Sequence, residues 1–516
     1  MAVFTSTVLE RVPAYVPIAA SFLTFIFLSL LFSPERIYKA HRLGKSRMLS
    51  LLSGQKSIRW HIDELVEQGY LQVNKALEKP FVINWWGLDC LFMPAKYLDD
   101  LRKADFDSLS FFQSLSDAFH LQASVGDLYS TNVMIDAVKR RLNPQLPKAM
   151  SYLVDECDHT FSAELGDAKD WKSYNALQIC STLMHRVTSR ILIGEEICRD
   201  PEYIKLSMKF SESVFMNGVM LSTLSLGPFR KIISWIGSFA HRRTMNQLIR
   251  LLIPVIEKRL EEMKRDPTGP KPFDMVQFTI ELTGPSDKEK TPERMAHQVL
   301  QNLWAGSGAP GGLLTQMVYQ VLTYPEYLEP MREEIRSAIA EHGWTDKMLN
   351  NIPLVDSFLR ETNRLYPNGA VTAARTVMGK PFQFHDGTTL PVGARIAFPS
   401  RAIMCDSANF DNPYQFDGFR FARLASQKES SSDSREQLYN SATVTKTNLA
   451  FGYGKHACVG RFYAVRKVKL VFCRLMLDYL VEWEGNVTER PPSLSIEGQL
   501  VPNPEQKIRI KRRAEA

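Results

Sequence analysis

The first strong pattern along the chain is an apolar run close to the N-terminus. Residues 16–32 contain almost no polar group. Counted from Pro13 the run has about 20 residues, and a helix rising ~1.5 Å per residue then extends over about 30 Å, the thickness of the hydrocarbon core of a bilayer. We therefore predict one transmembrane helix over residues 13–33, after a short tail at residues 1–12.

Basic residues flank this run unequally. Only Arg11 precedes it, whereas a connector at residues 34–54 carries Arg36, Lys39, Arg42, Lys45 and Arg47. Because positive charge stays on the cytosolic side, the rest of the chain is predicted to lie in the cytosol. A cleaved signal peptide is the alternative, but its charge precedes the apolar run and a small-residue cleavage site follows it. Ser33-Pro34-Glu35 follows here, which favours an uncleaved anchor.

Beyond the connector, the pattern predicts one large domain at residues 55–516 that is mainly helical with small sheets. Apolar residues at helical spacing dominate residues 150–265. Short strands are predicted within residues 81–93 and 380–400. A Ser-rich stretch at residues 426–434 predicts a mobile surface loop.

A long helix is predicted to begin at Thr291, which is a suitable N-cap before a proline in the first turn. It should run through Leu300 to Leu322 and end before Pro325. We expect four glycines and a proline to break or kink its middle, because proline has no amide hydrogen for the helical ladder. That middle reads Ala305-Gly306-Ser307-Gly308-Ala309-Pro310-Gly311-Gly312.

Composition narrows the function. The chain has 516 residues, 45% hydrophobic and 23% charged, which suffices for a large core. The net charge of +7 is mild and suits an anionic membrane or an acidic protein partner. No run of basic residues alternates with aromatic ones, so we expect no nucleic-acid partner. The seven cysteines show no disulfide or zinc spacing, which favours reduced thiols and one metal ligand.

One cysteine near the C-terminus lies in a glycine-rich frame. Cys458 follows Gly452 and Gly454 by six and four residues and precedes Gly460 by two. A helix is predicted to start directly after it, and a helix N-terminus lowers the pKa of a thiol. The glycines let the backbone turn tightly and lie close to a flat macrocycle. The alternative is a buried free cysteine in a glycine-rich turn.

This frame resembles the proximal haem loop of cytochrome P450 enzymes, whose pattern is F-x-x-G-x-[RH]-x-C-x-G. The fixed positions are all present, and Val459 replaces a common proline, in Phe451-Gly452-Tyr453-Gly454-Lys455-His456-Ala457-Cys458-Val459-Gly460-Arg461. The resemblance implies the cytochrome P450 fold, mainly α with small β-sheets, here preceded by the N-terminal transmembrane helix. It implies haem b as the cofactor, with Cys458 as the axial ligand of the iron. An axial thiolate pushes electron density onto haem iron and favours O–O cleavage.

The resemblance also assigns roles to other residues of this site. Phe451 would cover the sulfur, Gly452 and Gly460 would let the backbone approach the macrocycle, and His456 would bond a haem propionate. Arg375 falls where the family has a second propionate arginine, although an exposed strand arginine is the alternative.

A redox partner and a location are implied as well. Electrons would come from NADPH through a membrane-bound cytochrome P450 reductase, and the resemblance implies the endoplasmic reticulum membrane. The reductase would dock on the thiolate side, unless that side is simply a solvated helix face. The residues that make this side basic are Lys446, Lys455, Arg461, Arg466, Lys467 and Lys469.

A three-residue charge network is predicted away from the cysteine. Glu361 and Arg364 are three residues apart on one helix face, where opposite charges can pair. Such a pair is usually a solvated surface bridge. Its position about 95 residues before Cys458 resembles the K helix of the family, where a third member comes from a later loop. Arg420 in Phe416-Asp417-Gly418-Phe419-Arg420-Phe421 matches that member.

The predicted long helix departs from the family where it would face the haem. Relatives carry an acid and an alcohol that relay protons, whereas Gly308 and Ala309 take these positions here. Ser307 is a candidate substitute hydroxyl, but it lies two residues from the alcohol position. A substrate hydroxyl or a water could replace the relay in a hydroxylase. Alternatively, the enzyme catalyses a redox-neutral isomerisation, dehydration or cyclisation, or the protein binds haem without catalysis.

Apolar residues supply candidates for a substrate wall, which suits a lipophilic substrate entering from the membrane. Residues of this kind more often belong to the plain core than to a ligand contact. The general sequence style resembles fungal members that oxidise terpenoids and related secondary metabolites. The candidates are Phe112, Phe215, Trp304, Ala305 and Val371.

Overall fold

The computed structural model describes residues 24, 40–44, 60–222, 229–283, 289–426 and 438–514. The predicted anchor at residues 13–33 therefore lies almost wholly outside the described residues, as do most of the connector and most of the Ser-rich stretch. Over the ranges described, none of the helices combines the length and the apolar character that crossing a membrane requires.

Helices make up most of the domain, as predicted. In chain order they are α1 (Ile62–Gly69), α2 (Leu98–Lys103), α3 (Phe111–Phe119), α4 (Leu121–Val125), α5 (Val133–Asp136), α6 (Leu146–Leu165), α7 (Ala176–Leu192), α8 (Glu195–Cys198), α9 (Pro201–Ser222), α10 (Arg230–Gly237), α11 (Phe239–Arg265), α12 (Met275–Leu282), α13 (Pro292–Thr323), α14 (Leu328–His342), α15 (Asp346–Asn350), α16 (Pro353–Leu365), α17 (Ser400–Met404), α18 (Arg420–Ser426) and α19 (Arg461–Asp478). Wider turns of π type occur at Tyr70–Lys75 and Ala137–Leu142.

The strands form small sheets. They are β1 (His41–Arg42), β2 (Phe81–Trp85), β3 (Leu88–Phe92), β4 (Leu109–Ser110), β5 (Lys172–Asn175), β6 (Thr372–Val377), β7 (Phe382–Gln383), β8 (Thr389–Leu390), β9 (Arg395–Phe398), β10 (Tyr479–Trp483), β11 (Leu494–Ile496), β12 (Gln499–Val501) and β13 (Lys507–Arg512). A six-stranded sheet has the order β1-β2-β3-β9-β6-β4, and a three-stranded sheet has the order β10-β13-β5. Two-stranded sheets pair β11 with β12 and β7 with β8.

The two short-strand predictions are confirmed. β2 and β3 pair antiparallel, with Phe81 opposite Phe92. β7 and β8 also pair antiparallel, and the turn between them places Gly387 at a φ of 86°, a conformation that favours glycine.

The long helix α13 lies in the centre of the main hydrophobic core. Thr291 caps it as predicted, since the Thr291 side chain accepts a hydrogen bond from the Arg294 amide at 3.3 Å. α7 packs along α13 so closely that a Cβ at Gly311 would come within 2.9 Å of the Ser181 Cα. Small residues at this crossing therefore let the two backbones approach.

Of the predicted break or kink in α13, the break is wrong, and the kink stays a prediction. The helix is continuous from Pro292 to Thr323, with Pro310 inside it. Dense packing against α7, α11 and α19 holds the segment in helical geometry, and tertiary packing commonly overrides local propensity.

Candidate active site

The loop before α19 is closed by its own backbone. The Cys458 amide donates to the Phe451 carbonyl at 2.8 Å, and the Gly452 amide donates to the Leu449 carbonyl at 2.8 Å. Gly452 and Gly454 have φ values of 76° and 74°, where other residues are strained. A Cβ at Gly454 would lie 2.8 Å from the Arg102 Cα, so this glycine lets the loop dock against α2.

The Cys458 thiol faces an enclosed space. Of the seven cysteines, all in the described ranges, six are buried and Cys458 is exposed. The density of protein around it is nevertheless that of an interior group, and this desolvation raises the pKa of the thiol. A side chain that is both accessible and densely surrounded lines an internal cleft. We therefore infer that Cys458 lines such a cleft.

Donors at the start of α19 act against that desolvation. Backbone hydrogen bonds from Gly460 and Arg461 and the charge of the Arg461 guanidinium lower the pKa of Cys458. Arg461 is the first residue of α19, so the sulfur lies at the positive end of a helix. These donors favour the thiolate, which is the form that binds metals.

Arg375 is buried on β6, not exposed. Its Nη1 donates to the Ala374 carbonyl at 2.7 Å and its Nη2 to the Tyr453 carbonyl at 3.3 Å, but its buried Nε has no partner. Burial lowers the pKa of Arg375 to about 9. An unpaired donor on a buried cation is costly, so the site suits an anionic ligand.

His456 lies near Arg375 and, like it, has a side-chain nitrogen without a hydrogen bond. Its buried Nε2 lacks a hydrogen-bond partner. Desolvation, helped by the charges of Arg375 and Lys455, lowers the pKa of His456 to about 3. Both side chains adjoin Phe111, whose ring centroid lies 5.6 Å from the Arg375 guanidinium and 6.5 Å from the His456 ring. Two buried nitrogens without partners therefore lie beside the cysteine loop.

One face of α13 is accessible within the core. Ala305, Gly308 and Ala309 are exposed, whereas Ser307 and Pro310 are buried. Exposed positions three and four residues apart share one side of a helix, so this side borders a cleft. A Cβ at Gly308 would meet no atom within 4 Å. The Ser307 hydroxyl donates to the Leu303 carbonyl at 2.7 Å and so does not serve the cleft.

The substrate-wall candidates divide into groups. Phe119 joins Trp304 to Trp86, with ring centroids 5.3 and 4.8 Å apart. Phe215 meets Trp86 at 6.1 Å, and Val371 belongs to the same cluster.

Phe112 lies apart from that cluster. Its ring stacks on Tyr129 at 5.1 Å, and the Tyr129 hydroxyl donates to Gln301 at 2.8 Å. Sequence reasoning missed Trp86 and Phe119, because Trp86 ends an apolar run that predicted only a strand.

The structure brings Glu361, Arg364 and Arg420 together. The fully buried Glu361 carboxylate accepts from Arg364 Nε at 2.7 Å and Nη2 at 2.8 Å, and from Arg420 Nε at 3.1 Å. The Asp417 amide adds a fourth hydrogen bond at 3.2 Å. The network ties α16 to the loop before α18.

The environment of Lys467 differs from its prediction. The sequence predicts it on a basic surface, but its side chain is fully buried. Its Nζ donates to the Gly306 carbonyl at 2.7 Å and to Thr188 Oγ1 at 2.5 Å. It thus links α19 to α13 beside the accessible face.

A family comparison decides what this arrangement is. The family model described as Cytochrome P450 matches residues 129–511, well over half of the chain. The chain belongs to the cytochrome P450 family. It is an enzyme of the oxidoreductase class, and relatives across its length are named monooxygenases.

Relatives extend the likeness over nearly the whole chain. It is 40% identical to cytochrome P450 monooxygenase sirB of Leptosphaeria maculans, over 99% of this chain and 97% of that protein. An ent-kaurene oxidase, P450-4 of Gibberella fujikuroi, is 28% identical and covers 88% of each chain. A retinoic acid-bound cyanobacterial protein, CYP120A1, has the same fold, with a TM-score of 0.61, 15% identity and coverage of 85% of this chain and 93% of that one.

The cytochrome P450 family implies a haem cofactor, and the residues present fit this group. Haem needs an accessible thiolate, and Cys458 supplies it at a helix N-terminus. Haem propionates need donors; Arg375 Nε is a buried donor without a partner, and the buried His456 Nε2, also without a partner, donates in its Nε2–H tautomer. A flat ring needs an open wall, and Gly308 leaves one.

The predicted basic docking face requires correction. Lys467 and Lys469 are buried, and Arg466 is largely buried and bonded to Asp346. The reason is that α19 packs against α13, α14 and α16, so its polar positions face other helices. Lys446 and Lys455 remain exposed, bonded to Asp99 and Asp105.

Two further cations lie near the cysteine loop and were missed. Lys139 and Arg140 are exposed on the wide turn at Ala137–Leu142. Asn143 follows directly and donates to the Val459 carbonyl at 2.9 Å, which attaches this turn to the loop. No sequence signal connects the two segments, because more than 300 residues separate them.

Proposed function

We propose that this chain is a membrane-anchored haem-thiolate monooxygenase that oxidises a lipophilic secondary metabolite of the terpenoid or a related class. The observation that supports it best is one accessible thiol, Cys458, enclosed in the core at the start of α19. We assign the catalytic domain to residues 55–516, the anchor to 13–33, the connector to 34–54 and the tail to 1–12.

In this proposal the residues of the loop hold the cofactor. Cys458 binds the iron as a thiolate, which the amides of Gly460 and Arg461 stabilise. Arg375 and His456 bind the propionates, with Phe451, Gly452 and Gly460 lining the sulfur side. When bound, haem supplies an electron-rich iron that activates oxygen.

The accessible face of α13 shapes the site but contributes no proton donor. Gly308 and Ala309 have no titratable group, and Ser307 is engaged with Leu303. A positioned proton donor typically contributes ~10²–10⁴ in rate. A hydroxylase built on this face therefore takes its proton from a substrate hydroxyl or from water held above Gly308, where the structure leaves space.

The aromatic cluster suits an apolar substrate. Trp304, Phe119, Trp86 and Phe215 form a continuous series of ring contacts beside the accessible face of α13. Ala305 and Val371 complete the apolar wall. The likeness to an enzyme named for oxidising ent-kaurene, a diterpene, supports the terpenoid class.

An apolar surface supports membrane attachment. Four side chains on α10 and the start of α11, each at least 60% exposed, recur at helical spacing, namely Ile232, Trp235, Ile236 and Phe239. Aromatic and aliphatic residues on one helix face favour the membrane interface. Together with the apolar run at residues 13–33, this supports a single-pass membrane anchor. We propose the endoplasmic reticulum from the family and a cytosolic domain from the basic connector.

Electrons are proposed to come from NADPH through a cytochrome P450 reductase. The exposed cations near the cysteine loop are Lys139, Arg140, Lys446 and Lys455. An acidic partner that docks there would compete with Asp136, Asp99 and Asp105, which pair with the last three.

A redox-neutral reaction is the second candidate, and the nonpolar Gly308–Ala309 face favours it. An isomerase, dehydratase or cyclase needs haem but less or no oxygen activation, so it tolerates the loss of the relay.

Product mass distinguishes the two candidates. We would express the chain with a reductase in a host that makes terpenoid precursors, with Cys458→Ser as the control. A product heavier by one oxygen supports the monooxygenase. An isobaric or dehydrated product supports the second candidate, and products unchanged from the control would contradict both.

A further inference from the structure

Pro310 deprives one carbonyl of α13 of its helical donor. In an α-helix the amide of residue i donates to the carbonyl of residue i−4. Proline has no amide hydrogen, so the Gly306 carbonyl lacks this hydrogen bond. α13 nevertheless continues through the proline within the core. Because an unsatisfied polar group is costly there, a different donor is required.

Lys467 provides that donor from another helix. Its Nζ lies 2.7 Å from the Gly306 carbonyl oxygen. Thr188 is the other polar group close to this oxygen, but its hydroxyl is 3.5 Å away and donates to the Met184 carbonyl at 2.5 Å. The Lys467 amine thus stands where the amide of an ordinary residue 310 would act.

The side chains that surround Lys467 are neutral ones and include no carboxylate. Among the described residues it forms no ion pair with a carboxylate. Thr188 and His185 face it from α7, and Tyr463 faces it from its own helix, with the ring centroid 4.7 Å from Nζ. A buried charge without a counter-charge is expensive, so the contact with Gly306 must offset part of that expense.

We propose that Lys467 and Pro310 form a compensating pair, in which the lysine supplies the hydrogen bond that the proline removes. Lys467 is therefore a positioning residue that sets the turn Gly306–Ala309, which in the proposed function borders the haem site. Only this last step rests on the proposed function, because the compensation itself is a property of the fold.

A double-mutant cycle on the full-length, haem-supplied protein tests the pair. Amide hydrogen exchange is followed across residues 306–314 in Lys467→Met, Pro310→Ala and the double variant. Lys467→Met alone should speed exchange about tenfold, since a carbonyl loses its donor. Pro310→Ala restores an amide at residue 310, so the same lysine change should then alter exchange less than about twofold.

Lys469→Met is the matched control, because Lys469 is a buried lysine on the same helix that binds Asp356 instead. Lys469→Met should change amide exchange across residues 306–314 by the same factor with Pro310 and with Pro310→Ala. Should Lys467→Met alone fail to fold, recovery of folded protein in the double variant supports the pair, and failure of both contradicts it. Equal acceleration by Lys467→Met in both backgrounds, or none in either, would also overturn it.

An optical titration with imidazole separates the positioning role from the fold. Its dissociation constant should change severalfold in Lys467→Met and return in the double variant. If the dissociation constant of imidazole is the same in all variants, the positioning role is contradicted but the compensating pair is not. If the protein binds no haem, the proposed function fails, but the exchange cycle still decides whether the pair exists.

Discussion

At the scale of single residues, the most informative side chains near Cys458 are those with partnerless polar atoms. Arg375 and His456 are held in place by the fold, yet each leaves a buried nitrogen without a hydrogen bond. Native proteins rarely leave such groups without a functional reason. We propose that a bound dianionic cofactor supplies the acceptors for both.

Replacing Arg375 should therefore separate cofactor retention from protein stability. Arg375→Leu removes a buried cation that lacks full compensation, so the haem-free protein should keep its stability or gain up to about 1 kcal/mol. Haem dissociation should become about 10–100-fold faster, because a charge-assisted hydrogen bond is lost. Stopped-flow haem transfer and urea unfolding measure the two quantities.

Arg332→Leu is the control, since Arg332 is a buried arginine that donates to the Met476 carbonyl, far along α19 from the loop. It should reduce stability without faster haem loss. Equal haem loss in both variants would contradict the assignment of Arg375.

Lys467 predicts a pH dependence of stability. Burial lowers the pKa of Lys467 from 10.5 to about 7. Between these values the unfolded chain binds a proton that the folded chain does not, so stability rises with pH. The rise should be on the order of 3 kcal/mol from about pH 7 to about pH 10.

This pH window is free of titration by the groups that face Lys467. Burial lowers the pKa of His185 to about 3 and raises the pKa of Tyr463 above its usual range. Unfolding free energies of the wild type minus those of Lys467→Met should therefore show the slope. A flat difference would contradict the assignment.

At the scale of elements, the charge network fixes α16 against the loop before α18. Glu361→Gln should destabilise the protein by about 3–5 kcal/mol, because Arg364 and Arg420 lose their shared counter-charge inside the core. Glu329→Gln, which removes an exposed partner of Arg332, should lose under about 1 kcal/mol. Urea unfolding compares them, and similar losses would contradict a buried structural role.

The accessible face of α13 predicts what a restored relay would do. Gly308→Asp with Ala309→Thr places an acid and an alcohol on the open face, where a Cβ at Gly308 meets no atom within 4 Å. Oxygen consumption and its coupling to product should change, because a positioned proton donor typically contributes ~10²–10⁴ in rate. Haem content must match the wild type. Unchanged oxygen consumption and unchanged coupling would contradict the interpretation that this face lacks a proton relay.

At this scale the sequence predicts elements better than their surroundings. The cap at Thr291, the extent of α13 and the hairpin at Gly387 follow from local chemistry, and the structure has them. The break at Pro310 fails because the compensating donor lies 157 residues away, on α19. The predicted exposure of Lys467 and Lys469 is wrong for a related reason. Helical spacing does not distinguish a lysine that faces solvent from one that faces another helix.

At the scale of the whole molecule, the sequence reveals the parts of the site that are local along the chain and not those formed by contacts between distant segments. The cysteine loop is a local motif and was recognisable, as was the nonpolar segment on α13. The aromatic cluster joins residues 86, 119, 215 and 304, which no local pattern connects. Arg375 and His456 become a pair only when β6 meets the cysteine loop.

The whole arrangement is a helical body in which a thiol and a nonpolar helix face are held together by α19. We propose that haem binds between them through a bond from the Cys458 sulfur to iron. The most direct measurement is the carbon monoxide difference spectrum of the reduced, haem-supplied protein, with Cys458→Ser beside it. We predict the strongly shifted Soret band of a thiolate adduct in the wild type and its loss in the variant. A colourless wild-type protein, or the same band in both, would contradict the account.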